Sequence, residues 1–162
     1  MSETKADQPL LSISGQWNIA YNYAAGRTAT RFFLALRDEQ KIFGTHCPSC
    51  DRTLVPPRSF CDRCFIATDD WREVGPEGSI VTFTISERRS PGIDRDPPYM
   101  VALIRLDGAS TNLIHFIEGC NLKDPQALLV QVRAGVRVKA NFRAAGDRTG
   151  HILDIQSFTV VD

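Results

Sequence analysis

The sequence predicts a mainly β protein, with an N-terminal arm and helix, a zinc ribbon, and then a five-stranded barrel. Three observations carry this. Four cysteines form two CxxC pairs within 18 residues, helical spacing of apolar residues is confined to a short segment ahead of them, and five strand-like runs follow Trp71. The implied division is 1–40 for arm and helix, 41–70 for the ribbon and 71–162 for the barrel.

At 162 residues the chain has room for one domain of about a hundred residues and a small appendage. An apolar fraction of 43% and a charged fraction of 23% are those of a folded globular chain and exclude fibrous or disordered classes. Nineteen basic residues balance nineteen acidic ones, so no overall field gathers nucleic acid or an anionic membrane. The opening MSETKADQPLLSIS has no basic stretch followed by an apolar core, and no run approaches the roughly 18 apolar residues of a spanning helix. A cytoplasmic protein without membrane or nucleic-acid partners is therefore expected.

Residues 1 to 14 are polar and mixed and read as a loose leader. Trp17, Ile19, Tyr21 and Tyr23 then fall on every second position, which in an extended segment sets four large side chains on one face that must cover something. Beyond Gly26, Thr28 reads as the N-cap of a helix ending near Gln40, with Ala29, Phe32, Phe33 and Leu36 at the i, i+3, i+4, i+7 spacing. Arm and helix either pack on their own domain or dock on a partner.

Residues 41 to 65 are too few and too poor in aliphatic side chains to form a core, so they need a staple. Cys47-Pro-Ser-Cys50 and Cys61-Asp-Arg-Cys64, ten residues apart, supply four thiolates from two tight turns, which suits one tetrahedral zinc with Zn–S distances of about 2.3 Å. A redox dithiol needs only one pair, and His46, directly before Cys47, would break the knuckle if it replaced a thiolate. Four thiolates leave no open position, so the metal is structural. Behind Trp71, runs at 81–85, 99–106, 112–117, 136–142 and 151–161 are separated by turn signals, as in a small closed barrel. Val136, Val138, Ala140 and Phe142 alternate with polar neighbours, whereas 99–106 is apolar on both faces and is expected to be covered on both.

RFFLALRDEQKIFGTHCPSC, LVPPRSFCDRC and WREVGPEGSIVTFT, in that order, closely resemble the acyl-CoA-associated proteins in which a rubredoxin-like zinc ribbon precedes an OB-fold, a family long catalogued as a domain of unknown function. The resemblance runs from about Gly26 to Val161. It implies a small subunit of a thiolase-like enzyme acting on acyl-CoA thioesters, hence a thiolase-like catalytic partner, coenzyme A or acyl-CoA as ligand, and carbon–carbon bond cleavage or formation. Relatives partner thiolases or steroid side-chain aldolases built on a thiolase scaffold, and one branch serves the benzoylsuccinyl-CoA thiolase of anaerobic toluene breakdown; the aromatic arm favours a degradative enzyme of that kind. Residues 121–135 look more helical or irregular than the family's usual short turn.

The chain itself is poorly equipped for acyl transfer. Beyond the two pairs only Cys120 remains, and His115, five residues earlier, would lie more than about 15 Å away on the opposite face of a strand. Catalytic residues are therefore expected on the partner and none here. Arg88, Arg89 and Arg95, on the 87–98 loop, could pair with the phosphates of coenzyme A, or could simply balance Glu87, Asp94 and Asp96 in a solvated hairpin. The competing readings are a single-stranded nucleic-acid binding module, a subunit of a thiolase-fold retro-aldolase, and a free-standing acyl-CoA binder or hydrolase. Strand aromatics such as Phe83 and Phe142, assigned to the core, speak against the first.

Overall fold

Gly26, at φ +78° where L-residues are strained, turns the chain from the arm into helix α1 (Gly26–Glu39). The computed structural model describes residues 11–17 and 19–161, so most of the expected leader lies outside the described residues. The helix starts two residues before Thr28, and its N-cap is Ala25 with no side-chain cap, because the glycine, not a hydroxyl, sets the entry. It ends at Glu39, where Gln40 in the left-handed conformation donates its N–H to Ala35 O. Phe32, Ala35 and Leu36 are buried, and Phe33 packs beside them, so this face of the helix lies on its own protein.

Strands β1 (Ile42–Cys47), β2 (Arg52–Leu54) and β3 (Asp70–Val74) form an antiparallel sheet in the order β2-β1-β3. A Cβ on Gly44 would come within 2.7 Å of Thr53 Cγ2 and 2.9 Å of Leu54 O, so only glycine lets β2 approach there. Ile42, Val55 and Val74 join Phe32, Leu36 and the barrel interior in one apolar cluster, whereas the knuckle end holds only Leu54 with the cysteines. The base of the ribbon thus shares the main core, and its tip does not.

The barrel is closed by β4 (Glu77–Ser86), β5 (Tyr99–Leu106), β6 (Leu113–Glu118), β7 (Arg137–Phe142) and β8 (Ile155–Val160) in the order β4-β5-β6-β8-β7. All pairs are antiparallel except β6 with β8. Long β4 pairs with β5 along its length and with β7 through Glu77–Ser79, with a register shift between Ile80 and Thr82 that lets it bend around the barrel. The alternation in 136–142 holds, with Val138 and Ala140 buried and Phe142 packed on the core. Helix α2 (Pro125–Gln131) occupies the segment expected to be helical or irregular, and it leads Leu128 and Val132 into the same core. Strand β5 buries Met100, Ala102, Ile104 and Leu106 inside, but Val101 and Leu103 on its outer face stay half-buried and the neighbouring Ile114 is exposed. Within this chain, double coverage is therefore incomplete.

The turn between β5 and β6 reaches the ribbon. Thr53 N–H donates to Ser110 Oγ (3.1 Å), Ser110 N–H to Thr53 O (2.8 Å), Val55 N–H to Thr111 Oγ1 (2.6 Å), and the Thr111 hydroxyl to Val55 O (2.8 Å).

His115 faces the barrel interior and is buried between the Phe158 and Phe116 rings. Phe116 N–H donates to its Nδ1 (2.9 Å), which leaves the proton on Nε2, facing Ile152 O at 3.4 Å. Burial holds its pKa below the ordinary 6.5. The unfolded chain therefore binds the proton first, and stability is full above about pH 6.5 and falls as pH drops from there toward the lower folded pKa. Unfolding midpoints measured between pH 7.5 and 5 are expected to show this slope, and His115→Phe to flatten it.

Candidate metal centre and its surroundings

Two turns of the same geometry build the site. Cys47 ends β1, and after Cys50 the Asp51 N–H donates back to Cys47 O at 2.9 Å; after Cys64 the Phe65 N–H donates to Cys61 O, also at 2.9 Å. Asp51 and Phe65 carry φ of 56° and 54°, a conformation L-residues adopt at a cost of roughly 1–2 kcal/mol. Each tight turn aims its two thiols at one point.

The four Sγ atoms of Cys47, Cys50, Cys61 and Cys64 lie within 4.8 Å of one another. Cys50 and Cys61 Sγ are 3.7 Å apart, against about 3.8 Å for the corners of a tetrahedron of thiolates at the zinc–sulfur distance. The set fits one zinc ion, with Cys47 and Cys61 buried and the other two half-buried. Without a cation the thiols cannot all ionise. Burial and then the neighbouring thiols push Cys50 up to about 12, while the backbone N–H groups of Arg63 and Cys64 bring Cys61 down to about 6. A divalent ion would replace the remaining protons.

A polar belt surrounds the knuckles. His46 is buried, with Nε2 2.8 Å from Asp51 Oδ1 and Nδ1 2.9 Å from Arg72 Nη2 and 3.3 Å from Asp70 Oδ2. Arg52 Nη1 donates to Asp62 Oδ1 (3.0 Å), tying the first knuckle to the second. None of these partners was identified from the sequence. The His46 to Asp70 contact depends on the register of β1 against β3, for which no local signal exists.

The ribbon family described as the rubredoxin-like zinc ribbon domain of ChsH2 matches residues 35–69, and the C-terminal OB-fold domain of ChsH2 matches residues 71–143. The chain belongs to the ChsH2 family. Among solved structures, a DUF35-family protein of unknown function from Sulfolobus solfataricus is 25% identical with a TM-score of 0.57, over 83% of this chain and 84% of that one. A structure described as an Ltp2-ChsH2(DUF35) aldolase is similar at 19% identity and a TM-score of 0.57, over 86% of this chain and 97% of that one, which speaks for the fold. Comparison with curated proteins gave no significant match.

In this ChsH2-family chain the three loop arginines are not gathered. Arg89 pairs with Asp96 in solvent. Arg95 stacks on Phe116 at 4.1 Å, pairs with Glu118 and donates to Gln156 O at 2.7 Å. Arg88 is exposed. Arg95 lies on the wall of an open cleft of about 810 Å³, where Arg95 and Arg143 face Asp94, Glu118 and Asp147, so no positive field builds up. Cys120, the one thiol outside the cluster, is half-buried, and burial raises its pKa. Among the described residues, no helix is long and apolar enough to cross a membrane. The arm stands away from the body, with Trp17 88% and Tyr23 81% exposed.

Proposed function

We propose that this chain is the non-catalytic zinc-ribbon and OB-fold subunit of a thiolase-type complex that makes or breaks a carbon–carbon bond beside an acyl-CoA thioester. The observation that carries the reading is the ChsH2 architecture of ribbon followed by OB-fold, in which, among the described residues, His115 spends its ring nitrogens on backbone groups and not on Cys120. Burial raises the pKa of Cys120, and the ring nitrogens of His115 face Phe116 N–H and Ile152 O inside the barrel. In this proposal Cys47, Cys50, Cys61 and Cys64 hold one structural zinc, the N-terminal arm docks on the catalytic chain, and the complex works in the cytoplasm.

The described Ltp2-ChsH2(DUF35) aldolase favours retro-aldol cleavage over benzoylsuccinyl-CoA thiolysis as the partner's reaction. Arg88 and Arg89, exposed on the 87–98 loop, are the better candidates for the phosphates of coenzyme A, since Arg95 is committed to Glu118, Gln156 and Phe116. Nucleic-acid binding finds less support, because Phe83 and Phe142 pack on the core and net charge is zero.

The test is reconstitution with a thiolase-like catalytic chain. The isolated subunit is expected to turn over no acyl-CoA, and a Cys120→Ala complex to keep activity within a few-fold of wild type. Loss of several orders of magnitude in a folded Cys120→Ala complex would move the active site onto this chain.

A further inference from the structure

The two knuckles differ in one respect. Each ends on an exposed non-glycine residue in the left-handed conformation, but the Phe65 ring bonds to nothing among the described residues, whereas the Asp51 carboxylate, though 92% exposed, reaches the His46 ring at 2.8 Å. His46 is only 6% exposed and directly precedes Cys47. Arg72 can only donate, so Nδ1 of His46 accepts from it and Nε2–H donates to Asp51. Asp70, opposite His46 in the β1–β3 ladder, holds Arg72 in place through Nη2 at 3.0 Å and Nε at 3.1 Å. A chain of contacts thus runs from β3 through a buried ring to the residue that closes the Cys47–Cys50 turn. The second knuckle has no counterpart, since the residue before Cys61 is exposed Phe60.

We propose that His46 is a positioning residue for the zinc site, which by holding Asp51 fixes the first knuckle and the directions of the Cys47 and Cys50 thiolates. This rests on the reading that the four cysteines hold the metal. The His46 ring touches neither the metal nor a thiolate and acts through Asp51, so its loss is expected at the low end, about ten-fold, of what removing a ligand's own hydrogen-bond partner costs in metal affinity. Asp51 has a second duty in the left-handed backbone, so the two roles separate by substitution. Asp51→Gly keeps the turn and removes the acceptor, while Asp51→Asn keeps both.

The experiment uses the full chain with zinc, and in parallel with cobalt(II), whose d–d bands report the symmetry of a four-thiolate shell. His46→Ala and Asp51→Gly are expected to release zinc to a chelator about ten-fold faster than wild type or more, with altered cobalt bands. Asp51→Asn is expected to behave as wild type. Lys41→Ala, which removes the Lys41–Glu73 pair at the other end of the same ladder, serves as control and is expected to leave both readouts unchanged. Wild-type release rates and bands in His46→Ala, or an equal effect of Lys41→Ala, would overturn the proposal. A wild-type chain that takes up neither metal would instead overturn the zinc reading, and this inference with it.

Discussion

Removing zinc, or replacing Cys61 with serine, is expected to unfold the tip of the ribbon while leaving the barrel standing. The apolar groups explain why the loss stops there. Ile42, Val55 and Val74, at the base of the ribbon, belong to the main core, but the tip has Leu54 and the four cysteines. Phe60, Phe65 and Ile66 keep 37–81% of their surface exposed and lie outside that buried cluster. A structural zinc contributes on the order of 10–16 kcal/mol in small zinc-finger peptides, far beyond what one buried leucine offers. Hydrogen exchange is expected to show lost protection at the amides of Asp51, Cys61, Phe65 and Thr68, which bond within or beside the knuckles, and retained protection in β5 and β6. One equivalent of zinc in the purified protein is the companion measurement. A Cys61→Ser chain that keeps these amides protected, or native protein without zinc, would refute the role of the metal.

Deleting residues 1–25 is expected to leave ribbon and barrel folded and to weaken the complex with the catalytic chain by about a hundred-fold or more, since one or two aromatic anchors carry that much binding energy. Trp17, Ile19, Tyr21 and Tyr23 are all exposed, so their loss removes nothing from the core. Such side chains are what a partner surface would bury, and Gly26 remains to start the helix. The truncated chain should match the intact one in thermal unfolding. Unchanged affinity in a titration against the catalytic chain would eliminate the arm as the docking element.

The parts of this architecture that are local in sequence were legible there. Two CxxC turns ten residues apart specify their own geometry, and the alternation of Val138, Ala140 and Phe142 predicts which side of β7 is buried. The five barrel strands fall where the apolar runs are, because each run is bounded by turn residues. What stayed hidden depends on distant pairing. Strand β3, with the sequence DWREV, carries too little apolar alternation to be read as a strand and exists because β1 lies beside it. His46 could be weighed only as a rival zinc ligand, since Asp70 and Arg72 come to it from 24 and 26 residues away in sequence. Thr28 looked like a cap, but the entry to α1 is fixed by the conformation of Gly26, which composition alone does not reveal.

The four hydrogen bonds between Thr53 and Val55 on one side and Ser110 and Thr111 on the other make the ribbon a poor candidate for transplantation. Sequence families draw a boundary between residues 69 and 71, yet a fragment cut there would lose β3, the far side of its own sheet, and leave the margin of β2 with bare amides and carbonyls. An excised ribbon would therefore tend to recruit strands from other molecules. Joined to the barrel, that margin is covered by the turn between β5 and β6, so the barrel takes the place a neighbouring strand would otherwise fill.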